Sequence, residues 1–168
     1  MRVLVEFFIL VIAGLTLLFV YQNYWDEIRY AIFSEQPVYT IYLGDVALNV
    51  TVADTESERK LGLSGTVKLN DFEGKLFIFD APAKYGIWMK DMLFAIDILW
   101  LDENLRVVHI EENVTPDTYP MVFAPEEPAR FVLEMNAYFV DSLKVQIGDR
   151  VSLPSHILPR DIREKLQE

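Results

Sequence analysis

Residues 38–53 read V-Y-T-I-Y-L-G-D-V-A-L-N-V-T-V-A, two apolar-rich runs separated by a glycine and an aspartate. The Gly44-Asp45 pair suits the positive backbone angles of a tight hairpin turn. In the second run, Leu48 and Val50 alternate with polar residues, which is the period of a strand with one buried face. The stretch therefore predicts a β-hairpin at the start of a β domain.

Short apolar segments continue this pattern along the rest of the chain. Further strands are predicted at Lys75–Phe79, Ile87–Lys90, Ile96–Leu101, Arg106–Glu111, Arg130–Met135 and Arg150–Leu153. Thr55 and Glu58 have the spacing of a capping box, so a short helix is expected there, with Gly62 placed to end it. Short strands at this spacing favour a mainly β fold, a compact β-sandwich or jelly-roll-like domain with short helices.

An apolar run precedes the predicted domain. Residues 3–21 contain one charge, Glu6, near one end, and as a helix they would measure roughly 28 Å, which matches a bilayer core of about 30 Å. Bulky aromatic residues follow the run, whereas a signal-peptide cleavage site needs small ones. The run predicts one N-terminal transmembrane helix, which acts as a signal anchor.

The membrane prediction sets the organisation of the chain. Its segments are a membrane anchor helix at 1–24, a juxtamembrane helix or stalk at 25–37, an extracytoplasmic β domain at 38–153 and a C-terminal tail with a short helix at 154–168. Arg2 lies before the apolar run and acidic residues lie after it. By the positive-inside rule, the chain is single-pass in the cell membrane, with a cytoplasmic N-terminus.

Charge and composition restrict the partners. The formal net charge is -11, and residues 1–36 hold two arginines against four acidic residues, so -9 belongs to the remainder. A domain this acidic repels phosphate backbones, and no nucleic-acid binding is expected. The chain has no cysteine and two histidines without metal-ligand spacing, so neither a metal nor a cofactor is predicted.

Ordered motifs carry a family resemblance. They are A-D-T-x-x-E-R-x-x-G-L at 53–63, G-x-L-F-x-F at 74–79, W-M-K-D at 88–91, I-D-I at 96–98, V-V at 107–108, Y-P at 119–120, V-L-E-x-N-A at 132–137 and I-G-D-R-V at 147–151. Together they resemble the uncharacterised domain-of-unknown-function family 192. The resemblance implies a compact, mainly β, jelly-roll-like fold, often behind a signal sequence or anchor. It supplies no established biochemical activity.

Charged residues among apolar ones mark the candidate site. Residues 87–101 read I-W-M-K-D-M-L-F-A-I-D-I-L-W-L, and a buried charge without a partner costs several kcal/mol. Trp88 and Lys90 share a strand face, where an aromatic ring beside a cation could hold a sugar or a carboxylate. The predicted ligand-binding residues are Trp88, Lys90, Asp97, Glu134, Arg59 and Asn136. The alternative for Asp97 is an internal ion pair with Lys90 or Arg59.

Three functions remain open at this point. The first is a membrane-anchored extracytoplasmic binding or accessory module for a polar cell-envelope ligand, either a glycan or another polar small molecule. The second is a hydrolase that uses Asp97 and Glu134 as acid and base. The third is a structural partner of another membrane protein, whose identity the sequence does not indicate. We expect binding rather than catalysis, and assign no catalytic residue.

Overall fold

The structure, a computed structural model, describes residue 12 and residues 14–16, 18–21 and 36–165. Two compact units are present, Met1–Glu35 and Gln36–Glu168. The described residues of the first unit are helical, and most of the predicted anchor and stalk at 1–37 lies outside the described residues. Within the described ranges, no helix has both the length and the apolar character needed to cross a bilayer.

The second unit is mainly β. Its strands are β1 (Val38–Leu43), β2 (Val46–Ala53), β3 (Glu73–Ala83), β4 (Ile87–Trp88), β5 (Ile96–Leu101), β6 (Val107–Val114), β7 (Val122–Phe123), β8 (Ala129–Asn136) and β9 (Val151–Ser152). Its helices are α1 (Glu56–Leu61), α2 (Phe139–Leu143) and α3 (Arg160–Lys165). Short 3-10 turns lie at Pro116–Thr118 and Ser155–Ile157. The mainly β prediction is confirmed.

Seven strands form one sheet in the order β6-β5-β8-β3-β2-β1-β9, while β4 and β7 form a separate pair. The strands pair antiparallel except for β2 and β3, which run parallel. A parallel pair needs a crossover, and α1 with the loop after it supplies that connection. The pairing of β8 with both β3 and β5 places the long apolar strands at the centre of the sheet.

The sheet curls until its two edge strands meet. The backbones of Arg106 and Arg150, which come immediately before β6 and β9, form an antiparallel β-bridge. Beside it, the Val107 amide donates to the Asp149 carbonyl at 2.8 Å, and the Val151 amide donates to the Leu105 carbonyl at 2.9 Å. One curled sheet thus takes the place of the two facing sheets that a sandwich would have, because joining the edges satisfies backbone groups that an open edge would expose.

Both faces of this sheet are covered. One face, which we call the core face, carries a buried cluster with residues from all seven strands, among them Leu76, Leu99 and Leu133. The opposite face, which we call the β4 face, carries Phe77, Trp100 and Val132 beneath β4 and the loops around it. The central strands are therefore buried on both sides, which explains their nearly continuous apolar sequences.

Local sequence signals are reproduced closely. The Thr55 hydroxyl accepts from the Glu58 amide at 3.3 Å, and the Glu58 carboxylate accepts from the Thr55 amide at 3.0 Å, which completes the predicted capping box of α1. Gly62 ends α1 with φ +54, and Gly44 turns the hairpin with φ +59, angles that glycine adopts without a steric cost. The short helix α2 follows β8 directly, at Phe139–Leu143.

Candidate functional site

Glu134 is a carboxylate buried without a hydrogen-bond partner for one of its oxygens. It lies on β8 and faces the β4 side of the sheet, with Lys75 of β3 opposite it on one flank and Ile98 of β5 on the other. Only 4% of Glu134 is exposed, and its Oε2 atom is unpaired among the described residues. An unpaired polar atom costs stability, so its retention is typical of a functional position.

The charge on Glu134 depends on its burial and on Lys75. Burial raises the pKa of the Glu134 carboxyl to about 8, although the Lys75 ammonium opposes this rise. Burial also lowers the pKa of Lys75, whose Nζ donates to Gln36 Oε1 at 3.3 Å. At neutral pH Glu134 is therefore mostly protonated, so its carboxyl group both donates and accepts hydrogen bonds.

Lys75 is a charged neighbour of Glu134 that was not among the predicted site residues. Only 7% of Lys75 is exposed. The available signal was its position in G-K-L-F-I-F, where it shares a strand face with Phe77 and Phe79. Its partner could not be read from that pattern, because the register of β3 against β8 brings together residues far apart in sequence.

Glu134 lines a small pocket between α1, the loop after α1 and β4. We call this the Glu134 pocket, and its volume is about 50 Å³. The residues around it are Arg59, Lys60, Leu61, Gly62, Leu63, Ser64, Phe77, Gly86, Ile87, Trp88, Met92 and Glu134. The structure thus brings together three of the predicted site residues, Arg59, Trp88 and Glu134.

Arg59 forms a rigid part of the pocket wall. Its Nη1 atom donates to the carbonyls of Asp54 and Ile78, the latter at 2.8 Å, and its guanidinium lies 5.3 Å from the Phe79 ring centroid. A further contact, to Asp80 at 3.9 Å, is weak because that carboxylate is almost fully exposed. Arg59 therefore supplies positive charge beside the pocket, and its Nη1 donor is already used within the fold.

Trp88 forms an exposed aromatic rim. It is 47% exposed, pairs with Val122 across the two-stranded β4–β7 sheet, and has the Tyr119 ring edge-on at 6.1 Å. Gly86 permits this approach, since a Cβ atom there would lie 2.4 Å from Val122 Cγ1. The tryptophan presents a flat apolar surface next to a polar pocket, an arrangement that suits ligands with both kinds of surface.

Asp97 does not join this group. Its neighbour Ile98 pairs with Glu134, so Asp97 faces the opposite, core side of the sheet, where it is fully buried. Its two oxygens accept the backbone amides of Asn113 and Val140, each at 2.8 Å. Neither predicted role of Asp97, ligand contact or an ion pair with Lys90 or Arg59, is what the structure shows, because backbone donors satisfy the carboxylate instead.

The predicted acid and base of a hydrolase are therefore separated. A glycosidase needs two carboxyl groups on either side of one bond. Asp97 and Glu134 lie on opposite faces of the same sheet, so they cannot flank a common substrate.

Lys90 and Asn136 lie outside the Glu134 pocket. Lys90 is exposed, and its carbonyl accepts from the Ser64 hydroxyl at 2.8 Å. Asn136 donates from Nδ2 to the carbonyls of Leu69 and Asn70, at 3.3 and 3.1 Å. Asn136 thus holds the loop between α1 and β3 against β8, whereas Lys90 joins that loop to the loop after β4.

A wider cleft is present elsewhere in the second unit. Its volume is about 710 Å³, and its lining residues are Gln36, Pro37, Tyr39, Val52, Asp54, Glu58, Ile78, Phe79, Asp80, Arg130, His156, Ile157, Leu158, Pro159 and Asp161. We call this the acidic cleft. None of the six predicted site residues lines it.

The charged groups of the acidic cleft are mostly engaged with each other. Arg130 donates to Asp161, to Glu103 at 3.0 Å and to the Phe79 carbonyl at 3.0 Å. Burial and the neighbouring Glu58 raise the pKa of Asp54. Across the described part of the chain, no cluster of three or more histidine, aspartate or glutamate side chains is placed to hold a metal ion.

The comparisons with known proteins identify the family. The family DUF192, described as "Uncharacterized ACR", matches residues 40–153. This chain belongs to the DUF192 family. The matched segment contains both the Glu134 pocket and the curled sheet from β2 to β9, and the resemblance noted from the motifs is confirmed.

Relatives of this DUF192 protein occur in archaea. A UPF0127 protein of Thermococcus kodakarensis is 30% identical over 118 residues, which cover 69% of each chain. A UPF0127 protein of Thermococcus gammatolerans is 31% identical over 104 residues, which cover 62% of this chain and 65% of the relative.

Two crystal structures share the fold. A proposed transcription regulator from Sinorhizobium meliloti 1021 is 28% identical, with a TM-score of 0.67 over 70% of this chain and 95% of its own. A protein of unknown function from Novosphingobium aromaticivorans DSM 12444 is 25% identical, with a TM-score of 0.67 over 71% of this chain and 88% of its own.

Half of the motifs that carry the DUF192 resemblance contribute residues to the Glu134 pocket. Four separate motifs contribute lining residues, which are Arg59, Gly62, Leu63, Phe77, Trp88 and Glu134. By contrast, Lys75 stands at a position that its motif does not specify, and it lies beside Glu134 on the neighbouring strand. The pocket is therefore the place where the family pattern and the unpaired carboxyl group coincide.

Proposed function

We propose that this DUF192 protein is a membrane-anchored extracytoplasmic binding module for a polar ligand of the cell envelope, with carbohydrate as the best-fitting class. The single observation that carries the binding role is Glu134, a buried residue with an unpaired Oε2 atom, which lines a pocket beside the half-exposed Trp88. A protonated carboxyl group with an aromatic platform offers both hydrogen bonding and apolar stacking. Sugars present the same two kinds of surface.

Other ligand classes fit the charges less well. The formal net charge of -11 repels nucleic acid. We therefore do not propose for this chain the role of transcription regulator that is given for the Sinorhizobium meliloti protein. In the acidic cleft, Arg130 is held by Asp161 and Glu103, and no comparable unpaired, buried side chain lines that cleft among the described residues. The Glu134 pocket is thus the better-supported binding site.

The membrane part of the proposal rests on residues 3–21. Their nearly uninterrupted apolar sequence matches the thickness of a bilayer, and the weak charge bias around them directs the N-terminus to the cytoplasm. Two measurements test it. Alkaline extraction should leave the full-length protein in the membrane fraction, and a C-terminal reporter that works only outside the cytoplasm should be active. Release into the supernatant would contradict the anchor.

The binding role is tested with full-length protein in lipid nanodiscs, screened against purified envelope polysaccharides and oligosaccharides. Nanodiscs are used because maltoside detergents carry the ligand chemistry under test. We expect saturable binding without product formation, weakened about tenfold or more by Trp88→Ala. The matched control is Tyr42→Ala, because Tyr42 of β1 is an aromatic residue that is also half-exposed. This variant should bind the glycan normally. If the protein binds no glycan, and a membrane protein that co-purifies with wild type is lost from the Trp88→Ala variant, the protein is instead a structural partner of that membrane protein.

A further inference from the structure

The size of the Glu134 pocket limits what enters it. Its volume of about 50 Å³ exceeds the roughly 10–15 Å³ that a cavity needs to hold one water molecule, but it is far smaller than the roughly 300 Å³ of a small ligand pocket and leaves no room for a sugar ring. A ligand must therefore remain outside and insert one short arm of two or three non-hydrogen atoms. Trp88, at the rim, is placed to contact the part that stays outside.

The walls and floor of the pocket select the chemistry of this arm. Phe77, Ile87, Leu63 and Met92 are buried apolar residues among those that line it, and they suit a methylene carbon. Glu134 supplies a carboxyl group to the same lining, and its buried Oε2 atom has no hydrogen-bond partner among the described residues. A hydroxyl is the matching group, because it donates and accepts at once, as the protonated carboxyl does.

The pocket disfavours an arm of either charge. An ammonium group would approach the positive charges of Arg59 and Lys60 in the wall, with the Lys75 side chain beside Glu134. A carboxylate would lose its hydration among apolar walls, while the Nη1 donor of Arg59 is already bound to the Asp54 and Ile78 carbonyls. A neutral CH₂–OH arm avoids both costs.

We propose that the Glu134 pocket takes the hydroxymethyl arm of a hexopyranose, whose ring stacks on Trp88 while its 6-hydroxyl hydrogen-bonds to Glu134. This inference rests on the proposed glycan-binding function and specifies its substrate class, neutral hexoses with a free 6-hydroxyl. The ring stays on the exposed side of Trp88, where Tyr119 supports the indole edge-on at 6.1 Å.

The test compares sugars that differ only at carbon 6. Full-length protein in nanodiscs is titrated, by ligand-observed NMR, with the methyl pyranosides of glucose, galactose and mannose, and with the 6-deoxy and 6-carboxylate forms of each. For at least one parent sugar, we expect the 6-deoxy form to bind about tenfold more weakly, since Glu134 would again lack a partner, and the 6-carboxylate form to bind more weakly still.

Variants assign this discrimination to Glu134. Glu134→Gln keeps the shape and a hydrogen-bonding group, so we expect folding and a reduced preference for the 6-hydroxyl. Glu134→Leu should remove the preference, with the 6-deoxy form binding at least as well as the parent. Asp91→Asn, an exposed change on the loop after β4 and outside the pocket, is the control and should keep the full preference.

The outcomes separate this inference from the proposed function. If parent and 6-deoxy sugars bind equally, or the 6-carboxylate form binds best, the inference is wrong although glycan binding stands. If the preference is present but unchanged in Glu134→Gln and Glu134→Leu, the arm lies elsewhere and the inference is again wrong. If no sugar and no envelope polysaccharide binds, the proposed function fails, and the inference fails with it.

Discussion

Asp97 and Val140 are joined by a hydrogen bond of 2.8 Å from the Val140 amide to the Asp97 carboxylate, although 43 residues separate them in the chain. Val140 lies in the first turn of α2, whose N-cap residue Tyr138 makes no side-chain cap. Asp97 therefore takes the place of a local cap, and its second oxygen accepts the Asn113 amide on β6. One buried carboxylate orders both elements.

This arrangement predicts a stability defect without a binding defect. In Asp97→Asn, the amide NH₂ would face one of the two backbone donors, so we expect a loss of about 3 kcal/mol in the free energy of unfolding. Chemical unfolding measures it, and glycan affinity should not change. Asp91→Asn makes the same chemical change at an exposed site and should leave stability within about 0.5 kcal/mol. Equal effects of the two variants would contradict the capping role.

Glu134 should make stability depend on pH. Its carboxyl group has a pKa of about 8 in the folded state and 4.5 as the reference value, so between these values the folded state holds a proton that the unfolded state has released. The contribution of Glu134 is greatest below pH 4.5. It falls by about 1.4 kcal/mol per pH unit as the pH rises towards 8, and then levels off.

The comparison that isolates this effect is wild type against Glu134→Gln at pH 5, 6, 7 and 8. The variant lacks the titrating group, while Lys75 on β3 and Arg59 and Lys60 on α1 remain as its charged neighbours. We expect the variant to become progressively more stable relative to wild type as the pH rises. A stability difference that is independent of pH would show that Glu134 is ionised throughout.

Arg130 should anchor the C-terminal segment. Buried except for 4% of its surface, it donates from Nε to the Phe79 carbonyl at 3.0 Å and from Nη2 to Asp161 of α3 at 3.0 Å. Lysine cannot reproduce this fork, so Arg130→Lys should cost about 1–3 kcal/mol and increase hydrogen exchange in α3. Arg160→Lys, on the exposed side of the same helix, should change neither quantity. Unchanged exchange in Arg130→Lys would contradict the anchor.

Gly74 should be intolerant of a side chain. A Cβ atom there would lie 2.6 Å from the Glu134 carbonyl oxygen, so β3 and β8 would have to separate. We expect Gly74→Ala to cost about 3 kcal/mol and to weaken glycan binding. Gly44→Ala, in the open hairpin turn with φ +59, pays only the backbone cost of about 1 kcal/mol. If Gly74→Ala lowers the free energy of unfolding no more than Gly44→Ala does, β3 and β8 can separate without a large cost, and the prediction is wrong.

Local features were predictable because neighbouring residues encode them. The Thr55–Glu58 capping box needs residues three apart, and the hairpin at Gly44 needs a single turn between two alternating runs. Strands β1, β2 and β5 follow the predicted bounds for the same reason. In contrast, two-residue strands are too short to show a period, so β7 was not predicted and the strands predicted at β4 and β9 were too long.

The candidate site was predictable only in part. Arg59, Trp88 and Glu134 meet at one pocket as expected, whereas Asp97, an equally conspicuous charge, faces the other side of the sheet. Alternation along β5 does place Asp97 with Leu99, but both faces of that strand are buried, so the pattern cannot tell which face meets a ligand.

The amino-acid sequence by itself determined the short strands and their turns, the capped helix, the acidic charge and the membership of DUF192, all of which depend on residue types and near neighbours. Only the tertiary structure decided that the sheet closes through the backbones of Arg106 and Arg150, that Lys75 stands beside Glu134, and that backbone amides donate hydrogen bonds to Asp97. These are pairings between distant segments. Their register is set by the summed packing of the whole sheet, because no single residue carries enough energy to specify it.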